Sequence, residues 1–340
     1  MTMRFAFAGF RHDHIFSLYN KVKERPDTEL VGACEEDDAT REALAQSGRA
    51  EITHPSLAAM LEDVDCDVVA IGDYYAQRGA LALAALRRGK HVLADKPLCT
   101  DLDELAEIER LAEQNALKVG CMLGNRDRPQ FRALRGHIRD GLLGELHAIS
   151  FGGQHPLLLG KRPHWYFEQG KHGGTINDIA IHAIDLVPWL TGLRFARINA
   201  ARAWNAFAPD YPHFKDAAQM MLTMDNGCGV LGDVSYMAPN SMGYATPFYW
   251  RWTFFGRNGI AEVSQKSDGI IVALDGKKEL ETLPATPGGT GDYLRAFLDD
   301  VAGTPQPDAL DTATVIESSR TTLRIQKAAD EGRHDLSLLG

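Results

Sequence analysis

The chain has 340 residues, 44% of them apolar and 24% charged, as expected of a globular protein with one or two domains. Its net charge of -10 and the lack of any basic run exclude a nucleic-acid-binding surface. No apolar segment approaches the roughly 20 residues that span a membrane, and the N-terminus shows no secretory signal, so we expect neither a membrane anchor nor export.

Short apolar segments alternate with helical patterns over residues 1–122. In chain order, the predicted elements are "RFAFA" (strand), a helix from about His14 to Arg25, "TELVGAC" (strand), "ATREALAQS" and "SLAAMLED" (helices), "CDVVAIG" (strand), "AQRGALALAALRRG" (helix), "KHVLA" (strand), "DLDELAEIERLAEQN" (helix) and "ALKVGCM" (strand). Since the strands are almost entirely apolar, the alternation predicts a parallel sheet covered on both faces. Right-handed crossovers then give a doubly wound α/β domain whose ligand site lies at the carboxyl ends of the strands.

The pattern changes after residue 122, and we predict a second domain over residues 123–340. Its predicted elements are a helix at "PQFRALRGHIRD", a β-rich stretch from about Gly144 to Leu283 that a helix at 174–191 interrupts, and closing helices at "GDYLRAFLDDVAG" and "DTATVIESSRTTLRIQKAADEG". The loop from Gly152 to Gly174 is long and rich in glycine, histidine and aromatic residues. Loops of that length inside a compact domain are often functional.

The first strand runs into Gly9, which is where a dinucleotide-binding strand usually ends. The expected continuation is G-x-G-x-x-G, but Arg11 and His14 occupy the second and third glycine positions. Glu35, at the end of the second strand, is placed to accept hydrogen bonds from an adenosine ribose, and Lys96 lies just past the fourth strand. Either of these charges alone is better explained as a charge on a solvated loop, so this stretch by itself leaves cofactor binding open.

The segment "HGGTINDIAIHAIDL" (172–186) reads as a glycine turn followed by a helix. Asp178 and His182 are four residues apart and therefore share one helix face, which Asp185 continues. A carboxylate beside an imidazole is a sensible general-base unit, because the carboxylate orients the ring. The alternative is a helix N-terminus with a capping acid and a surface histidine.

Taken together, the motifs resemble the glucose–fructose oxidoreductase/inositol dehydrogenase (Gfo/Idh/MocA) family over nearly the whole chain. The segments that carry the resemblance are "AALRRGKHVLADKPL", "GGTINDIAIH", "GNRDRPQF" and "YLRAFLDDV". The resemblance implies a nicotinamide-binding N-terminal Rossmann-type domain. It also implies a C-terminal α/β domain with a large, mostly antiparallel open sheet, which commonly forms the interface of a homo-oligomer, here a dimer or tetramer.

The resemblance also implies roles for individual residues. Lys96, Asp178 and His182 match the family's catalytic lysine, aspartate and histidine, and the Lys96–Pro97 bond matches a position that is often cis. The residues expected to bind the cofactor are Gly9, Phe10, Arg11, His12, Glu35, Gly72, Asp73, Tyr74, Asp95, Lys96 and Pro97. Those expected to bind substrate are Lys96, Asn125, Arg126, His155, Trp165, Asp178 and His182, with Tyr74, Tyr75, His164 and Tyr166 as further candidates.

The sequence departs from the family pattern in four places. Asp95 replaces the usual glutamate, Arg11 and His14 replace turn glycines, "GDYY" (72–75) replaces A-T-P-N, and Ala180 replaces a frequent glycine. None of these changes removes a catalytic-type residue. We therefore interpret the cofactor site as kept, with a remodelled phosphate turn in which Arg11 adds a charged donor.

Metal binding and redox state follow from the histidines and cysteines. Asp178, His182, His155 and His164 are candidates to converge, and "HDH" (12–14) is a second cluster, but no spacing matches a zinc signature, so we predict no metal. The five cysteines include no C-x-x-C pair and indicate buried thiols in a reducing, cytoplasmic compartment.

The leading interpretation is an NAD(P)-dependent oxidoreductase acting on a secondary alcohol of a sugar, inositol or related polyol. The acidic run 35–38 would repel a 2′-phosphate, which favours NAD over NADP. An enzyme that cleaves or eliminates through transient oxidation by NAD is the alternative, and a non-catalytic cofactor-binding protein is a third. Net NADH production separates the first two.

Overall fold

The computed structural model describes residues 2–285 and 292–339, and these form two compact units. Unit 1 contains the described residues of Met1–Met122, Pro163–Gly173 and Tyr293–Ser319. Unit 2 contains those of Leu123–Arg162, Gly174–Asp292 and Arg320–Gly340. No helix within the described ranges is long and apolar enough to cross a membrane.

Unit 1 is built on a five-stranded parallel sheet with the order β2-β1-β3-β4-β5. The strands are β1 (Met3–Ala8), β2 (Thr28–Cys34), β3 (Val68–Ile71), β4 (His91–Ala94) and β5 (Val119–Cys121). The helices are α1 (Ile15–Glu24), α2 (Asp38–Ser47), α3 (Leu57–Asp63), α4 (Arg78–Arg87) and α5 (Leu102–Gln114). The predicted doubly wound domain is confirmed. The strand order reverses between β1 and β3, and ligands of such sheets bind at the carboxyl ends of the strands on either side of that point.

Several helices of unit 1 begin with a side chain that accepts hydrogen bonds from backbone N–H groups of the first turn. The side chains of Asp37, Ser56 and Asp101 cap α2, α3 and α5 by accepting backbone N–H groups of the first turn. Helix α1 differs, because its N-cap residue His14 makes no such bond. The positive end of the α1 dipole is therefore left for another partner.

Unit 2 is built on a nine-stranded sheet with the order β13-β12-β11-β10-β6-β9-β8-β7-β14. Its strands are β6 (Leu146–Pro156), β7 (Phe195–Trp204), β8 (Ala217–Met224), β9 (Gly229–Ala238), β10 (Trp250–Gly256), β11 (Gly259–Ser264), β12 (Gly269–Leu274), β13 (Glu281–Pro284) and β14 (Leu336–Ser337). Its helices are α6 (Pro129–Arg139) and α7 (Ile181–Thr191). Every strand pair is antiparallel except β6 with β9, so the predicted large, mostly antiparallel sheet is confirmed.

The chain closes with α8 (Tyr293–Val301) in unit 1 and α9 (Thr312–Glu331), which begins in unit 1 and ends in unit 2. Both helices were predicted, although the predicted start of the first, at residue 291, lies outside the described residues.

Three details of the second half differ from the sequence-based expectation. Strand β6 extends to Pro156, into the segment expected to be loop, because Gly153 gives the room that the Trp250 ring needs: a Cβ there would lie 2.7 Å from the ring. The helix at 174–191 starts with a π-helical turn, Ile176–Ala180, before α7. The two-residue strand β14 is too short to produce a periodic signal.

Candidate functional site

Two glycines bring the ends of β1 and β3 together in unit 1. Gly9 has a φ of 80°, and a Cβ on it would lie 2.7 Å from the Cβ of Asp73. A Cβ on Gly72 would collide with the side chain of Ile15 at the start of α1. Glycine is required at both positions, because the backbone conformation of the first and the crowding at both exclude a side chain. The predicted cofactor residues Gly9, Gly72 and Asp73 are thus neighbours.

The turn between β1 and α1 presents several backbone donors. The amide of His12 donates to the carbonyl of Gly72 at 3.1 Å. Among the described residues, the amides of Arg11, Asp13 and His14 have no hydrogen-bond acceptor. Free N–H groups at a helix N-terminus bind anions such as a pyrophosphate. The turn therefore fits a dinucleotide although two of its expected glycines are missing.

Glu35 is fully buried and closes this turn from the end of β2. Its carboxylate accepts hydrogen bonds from the amides of Phe10 (2.6 Å) and Asp37 (2.9 Å) and from Nε of Arg11 (3.3 Å). The structure thus places Glu35 in the turn itself. Its predicted contact with a ribose stays a prediction.

Arg11 is held between two carboxylates and an aromatic ring. Besides Glu35, its Nε contacts Asp73 at 3.1 Å, and its guanidinium lies 5.0 Å from the ring centre of Tyr74. Burial opposes the charge of Arg11, but Asp73 and Glu35 outweigh it and raise the pKa of the guanidinium. Burial also raises the pKa of Asp73 to about 6, even though Arg11 counteracts it.

A buried network fixes the segment after β4. Arg78, the first residue of α4, donates to Asp95 Oδ2 (3.0 Å) and to three carbonyls: those of Asp73 (2.8 Å), Pro97 (3.2 Å) and Lys96. The Lys96–Pro97 bond is cis, as the resemblance implied. Arg78 therefore holds the backbone of Lys96 and Pro97 and the side chain of Asp95.

Asp95 is also bonded by a histidine of the phosphate turn. The Nδ1 atom of His12 forms a hydrogen bond with Asp95 Oδ2. Burial opposes ionisation of Asp95, but Arg78 and His12 outweigh it and hold the pKa of the carboxyl well below its usual range. Burial lowers the pKa of His12 to about 4. At neutral pH the network therefore contains a carboxylate, a guanidinium and a neutral imidazole that donates to the carboxylate.

The second carboxylate oxygen of Asp95 can accept a further hydrogen bond. Oδ1 is buried and has no hydrogen-bond partner among the described residues, while Nδ1 of His14 lies 3.4 Å away. An unfilled acceptor next to a dinucleotide turn suits a ligand hydroxyl. The ligand atoms of His12, His14 and Asp95 lie within 4.8 Å of one another, yet the guanidinium of Arg78 on the same carboxylate opposes a metal ion.

Lys96 lies near one of three aromatic side chains that contact each other in unit 1. Lys96 is buried, and its Nζ lies 5.7 Å from the ring centre of Tyr75. The Tyr75 hydroxyl bonds to that of Tyr166 at 2.8 Å, and Trp165 stacks on Tyr166 with ring centres 4.2 Å apart. Trp165 also donates to the carbonyl of Arg11 at 3.0 Å. Trp165, predicted to bind substrate, thus lies against the residues of the phosphate turn.

In unit 2, Asp178 lies in the π-helical turn and His182 in α7, and both contact aromatic side chains. The hydroxyl of Tyr236 donates a hydrogen bond to the buried carboxylate of Asp178. The ring of His182 packs edge-on against Trp250, with centres 5.5 Å apart. The side-chain oxygen of Gln326 anchors the π-helical turn by accepting from the amides of residues 176 and 177.

His155 joins the same group. Its ring centre lies 4.9 Å from that of Tyr249 and 6.0 Å from those of both Tyr236 and Trp250. We call Tyr236, Tyr244, Tyr249 and Trp250 the aromatic cluster. It connects His155, Asp178 and His182, three of the predicted substrate residues. None of its members was found from the sequence, because they follow no motif and lie in the β-rich half.

Two further predicted substrate residues lie before α6. Arg126 forms a bidentate ion pair with the buried Asp185 of α7, at 2.9 and 2.6 Å, so its charge is already balanced. Asn125 is buried beside the amide of Gln265, at 3.1 Å. The remaining candidate, His164 of unit 1, is exposed and pairs with Glu168 at 3.3 Å.

Comparison with known proteins agrees with this geometry. Residues 3–122 match the family model described as "Oxidoreductase family, NAD-binding Rossmann fold", and residues 131–262 match that of the GFO/IDH/MocA C-terminal domain. Levoglucosan dehydrogenase of Pseudarthrobacter phenanthrenivorans is 27% identical over 52% of this chain and 45% of its own length. Inositol 2-dehydrogenase 2 of Saccharopolyspora erythraea is 26% identical over 72% of this chain and 69% of its own. The chain spans between 45% and 62% of the length of three of the curated relatives it matches.

Solved structures share the fold. An inositol dehydrogenase homolog from Azotobacter vinelandii, complexed with NAD+, is 19% identical and superimposes with a TM-score of 0.81 over 99% of this chain and 97% of its own. An NAD-binding protein from Listeria innocua is 20% identical, with a TM-score of 0.80 over 100% of this chain and 98% of its own. The chain therefore belongs to the Gfo/Idh/MocA family of oxidoreductases, and residues 3–122 are its NAD-binding Rossmann domain.

Proposed function

We propose that the protein is a dehydrogenase that transfers a hydride between NAD and a secondary alcohol of a sugar, inositol or related polyol. The observation that carries the proposal is the burial of Lys96 beside the dinucleotide turn of unit 1, where Arg78 holds the carbonyls of Lys96 and Pro97. Asp178 and His182 supply a carboxylate and an imidazole in unit 2. The named activities of several relatives, on inositol, levoglucosan and xylose, support the substrate class.

Backbone donors and one carboxylate are the groups that would hold the cofactor. The free amides of Arg11, Asp13 and His14 suit the pyrophosphate, and Oδ1 of Asp95 suits a ribose hydroxyl. The acidic run 35–38 disfavours a 2′-phosphate, which supports NAD over NADP. When bound, NAD accepts the hydride, and the protein supplies position and proton transfer.

The chain's own groups then have distinct tasks. A secondary alcohol has a pKa far above neutrality, so the hydroxyl proton must be removed as the hydride leaves. We assign His182 as the general base and Asp178, held by Tyr236, as the group that orients it or a neighbouring hydroxyl. Lys96 donates to the reacting oxygen and stabilises the negative charge that develops there. In reverse, the same groups reduce a ketone.

The test is a screen of sugars and polyols with NAD and NADP, followed by substitution of the assigned residues. Lys96→Ala and His182→Ala should each lower kcat by roughly a hundredfold or more, the range for a lost acid–base or electrostatic group. NAD affinity, measured by calorimetry, should change much less. The exposed Lys266→Ala and His147→Ala are matched controls and should leave kcat unchanged.

Three results would contradict parts of the proposal. If His182→Ala raises KM and leaves kcat and its pH dependence in place, His182 binds substrate and is not the base. A higher kcat/KM with NADP would remove the role given to the acidic run. Product formation without stoichiometric NADH would point instead to transient oxidation followed by elimination.

We also infer a homo-oligomer in the cytoplasm. The outward face of the unit 2 sheet carries a groove of about 750 Å³, and large apolar side chains on it are exposed, including Met221, Leu231 and Phe248. Exposed apolar patches of this kind usually mark an interaction surface, and a second copy of the chain would bury it. All five cysteines are buried thiols, which suits a reducing compartment.

A further inference from the structure

Arg128 is a partly buried arginine of unit 2 whose side chain pairs with a neutral group. It is the N-cap residue of α6 and is partly buried. The N–H groups of Arg128 face the side-chain amide of Gln265, so the amide is oriented with its oxygen toward them. This oxygen accepts hydrogen bonds from Nη2 of Arg128 at 2.9 Å and from Nε at 3.1 Å. A neutral amide oxygen is thus the side-chain acceptor for this guanidinium.

The charge of Arg128 lacks a counter-ion. Within unit 2, no acidic side chain among the described residues forms an ion pair with it, whereas Arg126, two residues earlier, is bound by both oxygens of Asp185. Burial lowers the pKa of Arg128, with only Tyr249 acting in the opposite direction. A guanidinium has five N–H donors, and desolvating it without an anion is unfavourable unless a ligand completes the site.

The position of Arg128 connects it to the candidate catalytic residues. The backbone N–H of Gln265 donates to the backbone carbonyl of Trp250 at 3.0 Å, and the ring of Trp250 packs against that of His182. Tyr249 precedes Trp250 in the aromatic cluster, and the charges of both Arg128 and Asp178 act on its hydroxyl. Arg128 is therefore linked to His182 through Gln265 and Trp250.

Asn125 shares the Gln265 oxygen with Arg128. Asn125 is buried, and in this orientation of Gln265 its terminal amide donates to the Gln265 oxygen at 3.1 Å. Its backbone carbonyl accepts from the amide of Arg128 at 3.2 Å, which ties the two residues together. The N–H groups of the planar guanidinium that Gln265 does not bind match the oxygens of a small oxyanion.

We propose that Arg128 binds a compact anionic group of the substrate, so that the enzyme acts on an acidic polyol and discriminates against neutral sugars. The inference rests on the proposed dehydrogenase function and makes its substrate class narrower. Carboxylate and phosphate share the required chemistry. The overall charge of -10 repels anions at long range, so a local cation is needed to admit one.

The experiment compares anionic sugars with neutral counterparts of the same carbon skeleton. The pairs are D-glucuronate with D-glucuronamide, D-gluconate with sorbitol, D-glucose 6-phosphate with D-glucose, and inositol 1-phosphate with inositol. We expect kcat/KM with NAD to favour the anionic member of at least one pair by roughly ten- to a hundredfold, the usual effect of a hydrogen bond to a charged group. The carboxylate and phosphate pairs tell the two sources of the anion apart.

Substitution of Arg128 tests whether it is the residue responsible. Arg128→Gln should abolish the preference, mainly by raising KM for the anionic member. Arg128→Lys keeps the charge without the bidentate geometry and should give an intermediate preference. Arg139→Gln removes an exposed arginine from the same helix and should behave as the wild type. Arg128→Lys also serves if the glutamine variant fails to fold.

Calorimetric titration of the same anions into the NAD-loaded protein gives a readout independent of turnover. Binding that Arg128→Gln removes supports the inference even for an anion that does not react. Oxidation of neutral members as fast as anionic ones, or an anion preference that Arg128→Gln leaves intact, overturns it while the proposed function stands. Failure of both coenzymes to bind or react in any arm overturns the proposed function itself.

Discussion

Replacing Arg78 with methionine removes the buried guanidinium that forms an ion pair with Asp95 in unit 1. Arg78 donates to the Asp95 carboxylate and to the carbonyls of Asp73, Lys96 and Pro97. Methionine is of similar length and apolar, so the substitution removes these bonds without opening a large cavity. We expect a folded but destabilised protein in which the segment around Lys96 is loosened.

The magnitude follows from the partners left behind. Removing one member of a buried ion pair costs about 3–5 kcal/mol, because the remaining charge is buried without compensation. Arg78→Met should therefore lower the free energy of unfolding by about that amount. In Arg78→Met/Asp95→Asn the uncompensated charge is gone, and the double variant should recover about 1–3 kcal/mol relative to the sum of the single changes.

The dependence on pH gives an independent check. In the wild type, Arg78 and His12 hold the pKa of Asp95 below its usual range against the opposing effect of burial. Without Arg78, burial dominates and raises the pKa of Asp95, so the folded variant takes up a proton more readily than the unfolded chain. The stability of the variant then falls as pH rises. The difference from the wild type should be larger at pH 8 than at pH 5.

Urea denaturation followed by tryptophan fluorescence, at both pH values, measures these differences. Arg87→Met is the matched control, because Arg87 lies on the same helix with its side chain largely exposed, and its change should stay below about 1 kcal/mol. A loss of less than 1 kcal/mol in Arg78→Met, or a loss that is independent of pH, would refute the assigned network.

Two further predictions concern the turn and the outer face of the sheet. Burial lowers the pKa of His12 to about 4, so the folded protein binds fewer protons than the unfolded chain between pH 6.5 and 4, and acidification through that window should cost up to about 3 kcal/mol. Thermal melts should show this loss in the wild type and in the exposed His164→Gln but not in His12→Gln; equal losses in all three would exclude His12 as the cause. Leu231→Lys should dissociate the oligomer in sedimentation velocity, whereas Leu159→Lys in the loop after β6 should not, and a wild-type monomer would contradict the proposed interface.

The sequence alone was sufficient for the architecture of both units. Alternation of short apolar segments with helical patterns predicted the parallel sheet of unit 1, since a strand buried on both faces must be apolar throughout. The family resemblance supplied the mostly antiparallel sheet of unit 2 and the cis bond before Pro97. Gly9 was correctly read as the residue that ends the first strand in a tight turn.

The sequence also identified the three candidate catalytic residues, and the structure shows the surroundings of each. Lys96, Asp178 and His182 were chosen by spacing and resemblance, and the first two are buried next to aromatic or charged partners. Their catalytic roles remain predictions. Spacing could identify them because helical and strand periodicity is a local property that neighbouring residues encode directly.

Only the tertiary structure decided which charges are balanced and which are left for a ligand. Arg11, a candidate for the pyrophosphate, is held by Glu35 and Asp73, while Arg128, which no pattern distinguished from Arg126, has no carboxylate partner among the described residues of unit 2. Such pairings join segments far apart in the chain, so they depend on how strands and helices pack and carry no local periodicity. Burial then gives each unmatched charge its energetic weight, because a cation withdrawn from water must find an anion in the protein or in what the protein binds.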